Sequence, residues 1–160
     1  MTITARTMPA RAIKPPYSGT SPEQLELFRT VYRALGTVVE TDAALADPRS
    51  FDLAFDITVD DSNRAWAALE AAAKDYLAVY PPNTDEALTL MVTFANSVCY
   101  LTDPEQRAAF MNTFFLPGRA LMIGMREGKM LKAPVYKCHR LFTILREQAQ
   151  IDPDQPALAA

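Results

Sequence analysis

Between Ala87 and Thr102 the chain runs sixteen residues without a charge, and that run limits the available folds more than any other feature. It is shorter than the roughly 20 apolar residues a membrane-crossing helix needs, and Thr89, Thr93, Asn96 and Ser97 interrupt it. Leu88, Met91, Val92, Phe94, Ala95, Val98, Cys99 and Leu101 spread around most of a helical circumference, so no side of the segment is suited to water. A helix buried at the centre of other helices satisfies both facts.

The flanking segments supply those helices. Ser21-Pro22-Glu23-Gln24 is a helix opening: Ser21 caps, Pro22 takes the first helical position, and Gln24 is placed to reach back to the Ser21 amide. Phe28, Val31, Tyr32, Leu35, Val38 and Val39 follow as one apolar stripe, predicting a helix over 22–45. Ser62 reads as the cap of a second helix bearing Trp66, Leu69, Ala73, Tyr76, Leu77 and Tyr80 on one face, ended by Pro81-Pro82. Thr84 reads as the cap of the central helix. Asp103-Pro104-Glu105-Gln106 repeats the opening of the first helix, with Phe110, Met111, Phe114 and Phe115 behind it and Pro117-Gly118 as a stop. A short helix over 119–127 and a last one from near Pro134, with Cys138, Leu141, Phe142, Leu145 and Ala149 on one face, complete the set.

The expectation is an all-α, irregular single-domain bundle of five or six helices over residues 21–150, with Trp66, Phe110 and Phe114 in its core. Residues 1–20 read as a flexible basic arm and 151–160 as a disordered tail, because neither holds enough large apolar side chains to dock. The segment Phe51 to Val59 is ambiguous: Phe51, Leu53, Phe55, Ile57 and Val59 alternate like a strand, yet no second segment offers a strand partner. A short helix or an extended stretch is therefore expected there. Arg6, Pro9, Arg11 and Lys14 break up any secretory leader, and the prolines spoil a transit helix, so a cytoplasmic, membrane-free protein is expected.

Catalytic and metal chemistry find little footing. Asp52, Asp56 and Asp60 fall four apart and share a face, a weak candidate site for a hard cation, but no calcium-loop or phosphate motif accompanies them. A solvated acidic face is the plainer reading. His139 is the single histidine, and the two cysteines, Cys99 and Cys138, are too few for a thiolate zinc site. Cys138 and His139 are neighbours that point about 100° apart on a helix, which works against a nucleophile pair. No cofactor is implied. Residues 21–36 and 103–118 align with five identities, which a shared helix opening explains more simply than a duplication.

Charge placement is the strongest non-random feature. Residues 21–118 carry six basic and fifteen acidic side chains, whereas residues 119–146 carry seven basic ones against Glu127 alone. Lys137 and Arg140, and separately His139, Thr143 and Arg146, recur at helical spacing away from the apolar stripe of the last helix. This predicts a partner-binding face built from Arg126, Lys129, Lys132, Lys137, Arg140 and Arg146, with His139 at its edge. Internal pairing with the acidic helices is the plain alternative. A helix-turn-helix over 104–127 is also available, but Leu121, Met122, Ile123 and Met125 leave its second helix poor in groups that read bases. The leading expectation is a non-enzymatic interaction or regulatory domain, its partner an acidic protein surface or its own subunit. Nucleic-acid binding through Arg11, Lys14 and residues 119–146 is the second reading, and an enzyme whose site is invisible in the sequence is the third.

Overall fold

The computed structural model describes residues 20–46, 55–83, 85–113, 115–127 and 129–149. Six helices fill these segments: α1 (Pro22–Leu45), α2 (Phe55–Val79), α3 (Ala87–Cys99), α4 (Pro104–Thr113), α5 (Phe115–Glu127) and α6 (Lys129–Ala149). The domain is all-α, as the periodicity predicts. The arm at 1–19, residues 51–54, Thr84, Phe114 and the tail lie outside the described residues.

Helix α3 is the hub. Ala87 through Val92, Phe94, Ala95 and Val98 are all buried, and the helix touches α1, α2, α4, α5 and α6. Phe94 sits at the centre, stacked on Phe110 of α4 (centroids 5.2 Å apart) and edge-on to Phe142 of α6 (4.9 Å). Two of the polar residues of this helix are accommodated by its own backbone. Thr93 Oγ1 donates to the Thr89 carbonyl and Ser97 Oγ to the Thr93 carbonyl, both at 2.8 Å, so burial leaves neither hydroxyl unsatisfied.

Helices α1 and α2 run antiparallel, since Ser21 at the start of α1 meets Tyr80 just past α2, while Asp42 near the end of α1 meets Ser62 early in α2. Two sequence expectations are corrected here. Ser62 is no cap: α2 begins at Phe55, and the buried Ser62 hydroxyl donates instead to Asp42 Oδ1 at 2.8 Å. The period-two pattern that suggested a strand also contains i, i+4 spacings, and from residue 55 onward the helix takes them. Ser21 does cap α1, accepting from the Gln24 amide at 3.0 Å, but the Gln24 side chain does not reach back. It is buried and donates to Tyr76 Oη at 2.9 Å, bridging α1 to α2.

Three boundaries also move. The residue at the N-cap of α3 is Glu86 rather than Thr84. Pro117 and Gly118 do not stop a helix but lie in the first turn of α5, where an amide without an intrahelical partner makes proline harmless. Pro134 lies inside α6, which starts five residues earlier at Lys129; its ring nitrogen forfeits one backbone bond that the burial of Leu131 and Val135 on either side offsets. Of the expected core aromatics, Trp66 and Phe110 are half-buried against the core and Phe114 is outside the described residues. The two similar segments diverge, since α1 continues through Gly36 while α4 ends at Thr113 before Gly118.

Candidate interaction surface

Helices α5 and α6 form a tight hairpin. Gly124 and Val135 lie roughly 6 and 10 Å from the link at residue 128, by the 1.5 Å rise of a helix, so they can touch only if the chain folds sharply back. They do touch: a β-carbon on Gly124 would stand 3.2 Å from Val135 Cγ2. Glycine is what permits the approach.

This contact fixes which side chains share the outer face. Each successive residue turns about 100° around its helix, so Met125 follows Gly124, and Tyr136 follows Val135, out of the contact. Because the two helices run in opposite senses, both turns lead to the same side of the hairpin, away from α3. Met125, Met122 and Tyr136 are 59%, 60% and 56% exposed there, a large apolar presence for a surface. Arg126, Lys132, Lys137 and Arg140 are exposed around them, and none forms an ion pair with a carboxylate among the described residues. The surface is thus apolar at its centre and cationic at its rim.

The other residues of the predicted face are placed differently. His139 and Arg146 are half-buried at the margin between this face and the core. Burial, with the Arg146 charge nearby, pushes the His139 pKa below its ordinary value and favours the neutral ring. Lys129 opens α6, and its side chain lies outside the described residues. Met122, Met125 and Tyr136 were not among the residues that charge reasoning selects. The signal that finds them is their angular position: Met122 and Met125 lie off the Ala120, Gly124 stripe that α5 buries.

The remaining polar groups are tied into the framework. Asp42 Oδ1 accepts from Ser62 Oγ and, at 3.2 Å, from Trp66 Nε1, and the Arg107 guanidinium lies 3.9 Å over the Trp66 ring while donating twice to the Leu101 carbonyl. This chain of contacts joins α1, α2 and α4. At the other end of the bundle Gln24, Tyr76, Thr89 and Glu86 form a directed relay from amide to carboxylate, and burial raises the Tyr76 pKa. Burial also pushes both thiols up to about 12, Cys99 with a further push from Glu70. Each is therefore a protonated packing group at neutral pH rather than a nucleophile.

The acidic candidates do not assemble into a described site. Asp60 is exposed, its backbone carbonyl accepting from Arg64, and the side chains of Asp52 and Asp56 lie outside the described residues. Among the described residues no three acids, histidines or cysteines converge as a metal site would require. The helix boundaries also differ from those of the expected helix-turn-helix, since α5 starts at Phe115 and takes Pro117 and Gly118, the expected turn residues, into its first turn. No helix among the described residues is long and apolar enough to cross a membrane.

Set beside known proteins, the chain stands by its fold alone: no family model matches it, and no curated protein and no solved structure does so.

Proposed function

We propose that this chain is a non-enzymatic protein-interaction domain that binds an acidic protein surface through the outer face of its α5–α6 hairpin. The observation that carries the reading is the coincidence of Met122, Met125 and Tyr136, each more than half exposed, with four exposed cations around them. Apolar side chains displaced from water on contact provide affinity, and flexible methionines adapt to a partner's shape. The rim cations choose the sign of the partner and speed its approach. Nucleic acid is the second reading; the cations favour it, but phosphates give the methionines nothing to pack on.

The test compares wild type with the double variant Lys137→Glu, Arg140→Glu. Its probe is a synthetic helical peptide with leucines on one side and glutamates on the other. Replacing two rim cations by anions should weaken binding at least about 10-fold while leaving the melting temperature within a few degrees, because exposed charges contribute little to folding. Equal binding by both proteins contradicts the proposal.

A further inference from the structure

The surface next to the hairpin face is its complement. Arg119, Met122 and Arg126 recur at i, i+3 and i+7 along the outer side of α5, and at the first of them Asp85 approaches Arg119 to 3.9 Å. Asp85 belongs to the corner between α2 and α3. There Val79 is 53% exposed beside exposed Pro81 and Pro82, lining an open hollow that Tyr80, Asn83 and Glu86 complete. Asp75, one helical turn before Val79, and Asp85 are exposed at its edge. This corner repeats the plan of the hairpin face with the charge reversed: apolar in the middle, acidic at the rim. The two patches lie side by side along α5, so within one chain neither can cover the other.

Resting on the reading of the hairpin face as an interaction surface, we propose that a second copy of this chain occupies it, in a two-fold dimer. A two-fold axis between the patches sets the Met122, Met125, Tyr136 face of each copy against the Val79, Pro81, Pro82 corner of the other. The rim cations Lys137 and Arg140 then stand near Asp75 and Asp85 of the opposite copy, twice over. Such an isologous contact closes at two copies and removes both exposed apolar patches from water.

The test is sedimentation velocity on the full chain, with charge-swapped variants. Wild type at about 100 μM should sediment as a dimer in about 50 mM salt, with its dissociation constant rising at least about 10-fold in about 500 mM salt as the rims are screened. The pair Lys137→Glu, Arg140→Glu and the pair Asp75→Lys, Asp85→Lys should each be monomeric with unchanged far-UV circular dichroism. Their equimolar mixture should recover a dimer, because the swapped charges again oppose. Monomeric wild type in low salt, dimers that persist in either variant, or a mixture that stays monomeric overturns the proposal. If wild type is monomeric yet binds the acidic helical peptide, the dimer fails and the hairpin face stands as the site for another protein.

Discussion

At the residue scale, one carboxylate holds more of this protein together than its position suggests. Asp42 accepts from the buried Ser62 hydroxyl and from the Trp66 indole, and the Arg107 guanidinium that covers that indole feels its charge. Asp42→Ala leaves two donors without an acceptor, at about 2 to 4 kcal/mol for lost bonds to a charged group and an unsatisfied buried hydroxyl. Urea unfolding monitored by Trp66 fluorescence should show that loss, and an effect below about 0.5 kcal/mol, the level of an ordinary surface substitution, contradicts the arrangement. None of this was legible in the sequence, where Asp42 is one acid among many and Ser62 resembles a cap. The partners lie 20 and 24 residues away, and only the antiparallel pairing of α1 and α2 brings them together.

His139 contributes a pH dependence at the same scale. Its pKa in the folded protein is lowered, so the unfolded chain, with an ordinary imidazole, takes up a proton first as pH falls. The neutral ring's contribution to stability is therefore complete above about pH 6.5 and is lost progressively as pH drops from there towards the folded-state pKa. Melting temperatures measured from about pH 7.5 to about pH 5.5 should fall less steeply for His139→Gln than for wild type, by the part that belongs to this ring. Parallel curves contradict the assignment.

At the scale of the element, two of the three described glycines, Gly36 and Gly124, lie in opposite surroundings and make a paired test. Gly36 sits within α1 with nothing near the place of its missing β-carbon, so it adds only backbone freedom to the unfolded chain. Gly36→Ala should stabilise the protein by about 0.5 to 1 kcal/mol. Gly124→Ala gains the same propensity but must press Val135 away, so it should show no net gain. Equal stabilisation by both, read from urea midpoints, contradicts the close α5–α6 contact.

Helix existence was legible from the apolar spacing, most clearly for α1, whose bounds agree with the predicted 22–45. Helix ends were less so. Proline and serine are ambiguous signals: Pro22 begins a helix, Pro117 sits in a first turn, Pro134 lies within α6, and a serine that could cap is used as a buried donor. In each case packing against another helix decides, and packing is not local in sequence. The cations of the candidate face could be read from charge counts and spacing, whereas the apolar centre could not. Methionines on a helix look like core until the buried stripe is known to run through Ala120 and Gly124.

At the scale of the whole molecule, charge is segregated along the chain, and the fold keeps part of that segregation at the surface. The acidic stretch over residues 21–118 supplies α3 and the helices α1, α2 and α4 that pack on it, while α5 and α6 carry the cations outward around Met122, Met125 and Tyr136. Pairing inside the chain accounts for Arg119 with Asp85 and for local pairs such as Arg64 with Asp61, but among the described residues it does not reach Lys132, Lys137 or Arg140. A like-charged cluster left facing water repels itself, and an acidic surface removes that cost.

The central claim, that the outer face of the α5–α6 hairpin is where this protein meets an acidic protein surface, is tested most directly by methyl NMR on protein labelled at the methionine methyls. Titration with the leucine and glutamate helical peptide should move the Met122 and Met125 signals while that of Met91, buried in α3, stays in place. Titration with a short DNA duplex should leave the Met122 and Met125 methyls largely unmoved, since phosphates engage the rim cations alone. Shifts of both methyls with the peptide and not with DNA are the predicted result; methyl signals that do not respond to the peptide, or that respond to DNA alone, contradict the account.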